Sequence, residues 1–187
     1  MQPKTPSQSE TTITELMIPS YANFGGKIHG GIILGLMDKV AYSCAAKHTG
    51  HYCVTVAVEN VEFLQPVEVG ELVSLKARVN YVGKTSLVIG IRVESENVKN
   101  GIVSHTNTSY FTMVAKDEEN KPTMIPPLKL ESEDEVRRFF EAIIRKYNRK
   151  YFKEEMTKVR SQSNLSEEIR KLKNERCIIE INPEKGM

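Results

Sequence analysis

One acidic residue stands apart in this chain. Between Glu15 and Glu59 there is no other Asp or Glu than Asp38, and it falls in the middle of the most apolar helix-forming stretch, Ile32 to Ala46. A carboxylate among apolar neighbours is unfavourable unless it is paired, hydrogen-bonded or protonated, so an isolated acid there is a candidate functional group. The competing reading puts Asp38 on an exposed stripe beside Lys39. Gly30 and Gly31 come just before this stretch. Glycines there let a ligand approach the backbone, and the free N–H groups of a first helical turn can bind a developing oxyanion; equally, they can serve only as a tight turn. Asn23 lies in the same Gly-rich segment and could orient a water or a carbonyl, or simply make the turn. Gly83-Lys84-Thr85-Ser86 reads as a hairpin turn that could also offer N–H groups, hydroxyls and a cation to a phosphate. None of His29, His48, His51 and His105 stands near a Ser or Cys at nucleophile spacing, which argues against serine-esterase chemistry. Cys44, Cys53 and Cys177 fit no metal motif, and Cys44 on the apolar stretch reads as a small hydrophobe.

The elements that must hold these residues follow from periodicity. Ile33, Leu36, Met37, Val40, Ala41, Cys44 and Ala45 recur at helical spacing, with Ile32 and Leu34 widening the stripe, so the sequence predicts a helix buried almost all round. A short strand, Thr11 to Ile18, precedes it and is stopped by Pro19. Four strand patterns follow, at Cys53–Phe63, Leu72–Val82, Ser86–Glu94 and Val103–Ala115, joined by short turns that imply antiparallel pairing. One long apolar helix and one such sheet bury each other only if the sheet curls around the helix, an α+β design. A lone sheet of this kind leaves an edge strand that invites dimerisation. Beyond Pro122, Pro126 and Pro127 the composition shifts. Ser132 with Glu135 has the form of a capping box, and Val136, Phe139, Phe140, Ile143, Ile144, Tyr147 and Tyr151 mark an amphipathic helix, followed by a shorter charged one over Ser166–Arg176.

Lys and Arg total 26 against 24 Asp and Glu, a near balance that gives no reason to invoke a nucleic-acid or membrane partner. The polar start, Met1 to Thr12, lacks the apolar core of a signal peptide, and three cysteines with no metal spacing read as reduced thiols, so a cytoplasmic protein is expected.

Several motifs, in order, resemble one known family. The run from Asn23 to Asp38, Asn-Phe-Gly-Gly-Lys-Ile-His-Gly-Gly-Ile-Ile-Leu-Gly-Leu-Met-Asp, resembles the helix entry of the hotdog acyl-CoA thioesterases of the YciA and brain acyl-CoA hydrolase group. Val54–Glu59 resembles the strand after that helix, Phe63–Pro66 with Val69–Val73 the next segment, and Val82–Leu87 the Gly-basic-Ser/Thr-Ser turn. The resemblance covers roughly residues 10 to 126 and leaves a helical extension over 127–187. It implies a hotdog fold, edge-to-edge dimers assembled into a trimer of dimers, a homohexamer, and an active site at the dimer interface. It implies hydrolysis of a fatty acyl-CoA to fatty acid and CoA, with no metal or organic cofactor, since coenzyme A belongs to the substrate. Carried over residue by residue, Asp38 would act as general base or nucleophile facing Asn23 of the neighbouring subunit. The Gly31 N–H would polarise the thioester, with Gly30 beside it, and Thr55 would line the site. Gly83, Lys84, Thr85 and Ser86 would meet the CoA portion. Glu71 stands where the family usually has Asp, a mild change in a turn, and the extension is longer than compact members need. The alternative is a hotdog module that senses acyl-CoA without hydrolysing it. A hotdog dehydratase ranks lower, because His29 lacks the acidic partner such enzymes use.

Overall fold

The apolar periodicities build one sheet and one long helix against it. The computed structural model describes residues 1–181. Strand β1 spans Thr11–Leu16, helix α1 Gly30–Thr49, and strands β2 to β5 span Tyr52–Val58, Leu72–Val82, Ser86–Asn97 and Ile102–Lys116. The strands form one antiparallel sheet in the order β1-β3-β4-β5-β2. Alternate residues of β3, β4 and β5, among them Val73, Leu75, Ala77, Val79, Ile89, Ile91, Phe111 and Met113, turn to one face. On it lies the apolar stripe Ile33, Leu36, Met37, Val40, Ala41, Cys44 and Ala45 of α1. The helix touches all five strands, so the sheet curls around it. Each fully buried Val, Leu, Ile, Met or Phe contributes roughly 1.5–3 kcal/mol relative to exposure, which makes this helix-on-sheet interface the dominant stabilising contact.

Both ends of α1 are tied down. His29 is its N-cap and Gly50, at φ 72°, its left-handed C-cap. Lys4 Nζ donates to the carbonyls of Lys47 (2.9 Å) and His48 (2.7 Å), placing a cation where the last carbonyls lack partners. The buried His48 ring meets the Pro126 carbonyl at 3.0 Å through Nε2.

Two expectations differ from the structure. Helix α1 is not buried all round: Leu34, Gly35, Asp38, Lys39 and Tyr42 are exposed in the single chain, because one curled sheet covers one side of a helix only. The strand expected over Cys53–Phe63 ends at Val58, after a bulge between Thr55 and Ala57 shifts its register on β5. Residues 59–64 still follow β5, with Glu59 N donating to Tyr110 O and Leu64 N to Thr106 O.

The chain divides into two compact units, Met1–Ile143 and the residues from Ile144 onward, and helix α2 (Glu133–Ser161) begins in the first and ends in the second. In the first unit, α2 is anchored to the outer face of the sheet by the Arg78–Glu135 ion pair and by the Tyr81 and Phe139 rings, 4.9 Å apart. Half of the expected capping box forms: Glu135 N donates to Ser132 Oγ (3.3 Å), but the Glu135 carboxylate is held by Arg78 and accepts from Glu131 N instead of reaching back. The second unit holds the rest of α2 and helix α3 (Leu165–Lys171), which Asn164 caps through the Glu167 N–H at 3.2 Å. No helix among the described residues is long and apolar enough to cross a membrane.

Candidate functional site

Asp38 sits on the exposed face of α1, two turns from its start, where the sheet edge β2 passes. Thr55 Oγ1 donates to Asp38 Oδ1 at 2.6 Å, the short distance expected of a hydroxyl on a carboxylate. The β2 bulge begins just after Thr55, which still pairs with Met113. One carboxylate oxygen is therefore held, and among the described residues no hydrogen bond engages the second. The two residues line an open cleft of about 450 Å³ with Lys39, Tyr42, Tyr52, Val54 and Met113. The rings of Tyr42, one helical turn beyond Asp38, and Tyr52 lie 6.0 Å apart. Sequence reading passed over this aromatic wall, although the i,i+4 relation of Asp38 and Tyr42 was there to see.

Asn23 opens a tight hairpin. Its N–H donates to Lys27 O (2.7 Å), and its Oδ1 accepts from Gly25 N (2.8 Å) and Lys27 N (3.2 Å). Because backbone N–H groups can only donate, the atom they meet must be the amide oxygen, which fixes the orientation of the side chain. The oxygen is spent on the turn, and Nδ2 is the group left to act on a ligand. Asn23 belongs to a separate cleft, with Gly30, Ile33, Phe63 and Leu64, that Asp38 does not line. The eight helical steps from Gly30 to Asp38 rise about 12 Å, and within one chain Asn23 and Asp38 line different clefts.

The glycine pair has an explanation that the sequence did not offer. Gly31 N donates to His29 Nδ1 at 2.9 Å, and a Cβ on Gly31 would meet that ring at 3.0 Å. A Cβ on Gly30 would meet the Phe63 ring at 3.2 Å. Two rings of the chain itself occupy the helix start, and the N–H expected to polarise a carbonyl is capped by His29.

The turn Gly83–Ser86 is fixed from three sides: Gly83 N donates to Ser86 O, Ala115 N to Thr85 O and Ile125 N to Lys84 O. Ser86 pairs with Val114, which pairs with Val54, and the next row joins Leu87, Met113 and Thr55. The turn thus lies two strands, roughly 10 Å, from Thr55. Lys84 is exposed and has no ion pair among the described residues. Burial pushes the Cys44 thiol up to about 12 and also raises Cys53, so neither is a thiolate nucleophile near neutrality. No group of three His, Cys, Asp or Glu among the described residues could hold a metal ion.

Comparison with known proteins gives this geometry a context. The thioesterase superfamily model matches residues 25–102. Protein VdlD of Helicobacter pylori is 42% identical over 142 residues, 76% of this chain and 81% of that one. A crystal structure of an apo-hexameric acyl-CoA thioesterase is 35% identical with a TM-score of 0.78, over 81% of this chain and 97% of that one. An acyl-CoA hydrolase of Staphylococcus aureus, solved with butyryl coenzyme A, coenzyme A and coenzyme A disulfide, is 28% identical with a TM-score of 0.76, over 85% of this chain and 97% of that one. In that hydrolase an Asn, an Asp and a Thr have each been replaced by Ala, at positions 15 and then 17 residues apart. Asn23, Asp38 and Thr55 have the same two spacings. With this helix, this sheet and relatives of this identity covered over four fifths of their length or more, the chain belongs to the hotdog acyl-CoA thioester hydrolases of the thioesterase superfamily.

Proposed function

We propose that the chain hydrolyses acyl-CoA thioesters to a carboxylic acid and free CoA at a site shared by two copies, with Asp38 and Thr55 from one and Asn23 from the other. The observation that carries this reading is the Thr55–Asp38 hydrogen bond on an open helix face. It leaves a carboxylate with one oxygen held and one free, the state a general base or a nucleophile needs. As a base, Asp38 takes a proton from water, and the oxygen so freed bonds to the thioester carbonyl carbon. The C–S bond then breaks, and the sulfur leaves with the proton from Asp38. As a nucleophile, the free Asp38 oxygen would bond to the carbonyl carbon as the C–S bond breaks and CoA leaves as thiolate. Water then opens the mixed anhydride to the carboxylic acid and the Asp38 carboxylate, and the proton released goes to the thiolate.

Asn23 Nδ2 is the donor suited to the carbonyl oxygen, because Oδ1 is engaged by its own turn. The Gly31 N–H joins it once the His29 ring gives way to the substrate oxygen. Gly30 sits beside that N–H, and the Gly83–Ser86 turn, with Lys84 exposed, would meet the phosphates of CoA. The domain over 10–126 carries the reaction, and the extension over 127–187 adds contacts within a homo-oligomer, a dimer or a trimer of dimers, in the cytoplasm. The reaction calls for no cofactor.

The test is free-thiol release from acyl-CoA esters of graded chain length, wild type beside Asp38→Asn. Turnover by wild type and near-silence of a variant that still binds CoA support the reading. Binding of acyl-CoA by wild type without thiol release would replace it with that of a sensor.

A further inference from the structure

Phe24 is the most exposed large apolar residue among those described, at 114% of its extended-chain reference. Single exposed apolar side chains are ordinary on protein surfaces, but this one is carried by a closely hydrogen-bonded turn. It sits at the tip of the Asn23–Lys27 hairpin, whose ends are held by the Asn23 N–Lys27 O bond and whose middle is held by Gly26 N on Asn23 O and by the two bonds to Asn23 Oδ1. Below the tip, His29 N donates to Tyr21 O and Ile28 N to Val67 O, and Lys27 pairs with Glu68. A mobile loop could fold such a ring back on its own chain; this turn holds it outward in the same frame that orients Asn23.

The cleft beside Asp38 has the opposite deficiency. Its wall is the Tyr42–Tyr52 ring pair, with Tyr52 58% exposed, and it is open to water on the side away from the sheet. A third ring would close it, since aromatic groups pack favourably edge-to-face or offset at such spacings. Within one chain the length of α1 separates Phe24 from that cleft, as it separates Asn23 from Asp38.

We propose that Phe24 of one copy of this chain closes the Asp38 cleft of a second copy, packing on its Tyr42–Tyr52 pair and shutting the thioester away from bulk water. The occupant is a second copy and not an unrelated protein, because Phe24 adjoins Asn23, and Asn23 completes the site only from another copy. This inference rests on the shared-site reading above. It makes Phe24 a positioning residue that does not touch the reacting atoms.

The test is a cross-link in the full-length chain carrying Cys177→Ser, which removes the exposed thiol and leaves the buried Cys44 and Cys53. Phe24→Cys and Tyr42→Cys are made separately, and the two proteins are mixed, reassembled and treated with a short bismaleimide. The expected result is a covalent dimer in the mixture, at least tenfold above either protein alone. An intact oligomer with no such cross-link overturns the proposal. In parallel, Phe24→Ala should lower kcat/KM by about tenfold, with Phe24→Tyr restoring most of it and the oligomer unchanged by light scattering. Full activity in Phe24→Ala also overturns it. If wild type releases no thiol, the hydrolase reading fails; if wild type is active, Asp38→Asn is dead and the cross-link is absent, only the role of Phe24 falls.

Discussion

A carboxylate that is to take a proton from water works best with one oxygen held still and the other open. Thr55 does the holding for Asp38. On the proposed reading, replacing Asp38 by Asn keeps the shape and removes the base or nucleophile, and should lower kcat/KM by roughly 10²- to 10⁴-fold with CoA affinity retained. Thr55→Val removes only the orienting bond. A hydrogen bond to a charged group contributes about 1.5–3 kcal/mol, so this variant should lose roughly ten- to a hundredfold, in kcat more than in KM. A Thr55→Val enzyme with wild-type kcat would show that Asp38 is oriented by something else. A second residue-scale constraint lies on the outer face of the sheet. Gly90 pairs with Arg78 and Tyr110 on the flanking strands, and a Cβ there would stand 2.4 Å from Nδ2 of the buried Asn80. The buried Asn80 amide must turn aside to admit that Cβ. Gly90→Ala should therefore destabilise the fold by about 1–3 kcal/mol in denaturant titration, and adding Asn80→Ala should recover most of that loss if the clash is its cause.

At the scale of elements, α1 concentrates both what the sequence revealed and what it hid. Its apolar stripe and the strands over Leu72–Val82 and from Ser86 were legible, because a period of 3.6 or 2 is written into residue type. Asp38 was legible as an anomaly of composition. The exposed back of the helix was not, since one sheet covers one side only and the width of an apolar stripe does not record how many layers will cover it. Nor were the rings of His29 and Phe63 over the two glycines: a glycine pair has the same appearance whether a ligand or a side chain takes the space. Nor was the burial of His48, whose ring meets Pro126, 78 residues away. That burial makes a prediction. With Nε2 on the Pro126 carbonyl and Nδ1 without a partner, the ring is neutral in the fold, and burial holds its pKa below the ordinary 6.5. The unfolded chain takes up a proton near 6.5 while the folded one resists it. The stability owed to neutral His48 is thus complete above that pH and is lost as pH falls through 6.5 toward the depressed folded value. Between pH 7.5 and 5, a range that brackets the ordinary histidine value, the melting temperature of wild type should fall more steeply than that of His48→Gln. Parallel curves for the two proteins would remove His48 as the cause.

At the scale of the whole molecule, the unfinished parts of the single chain belong to one problem. Strand β2 is an edge of the sheet and carries exposed Val56 and Val58, an unprotected edge of the kind that pairs with another chain. Asn23 and Asp38 lie in different clefts of the same copy. A twofold pairing would answer both at once, because in an isologous interface what residue i of one copy gives the other, it receives in return. This can be tested without a structure of the assembly. Asn23→Ala alone and Asp38→Ala alone should each be nearly inactive. Unfolded together in equal amounts and refolded, they form half of their pairs as hybrids, and each hybrid contains one site with neither substitution and one with both. The mixture should recover about a quarter of wild-type activity, and the double variant refolded with wild type should add no such gain. If Asn23 and Asp38 acted within one chain, every site in the mixture would lack one of them, and the refolded mixture would stay as inactive as its parents.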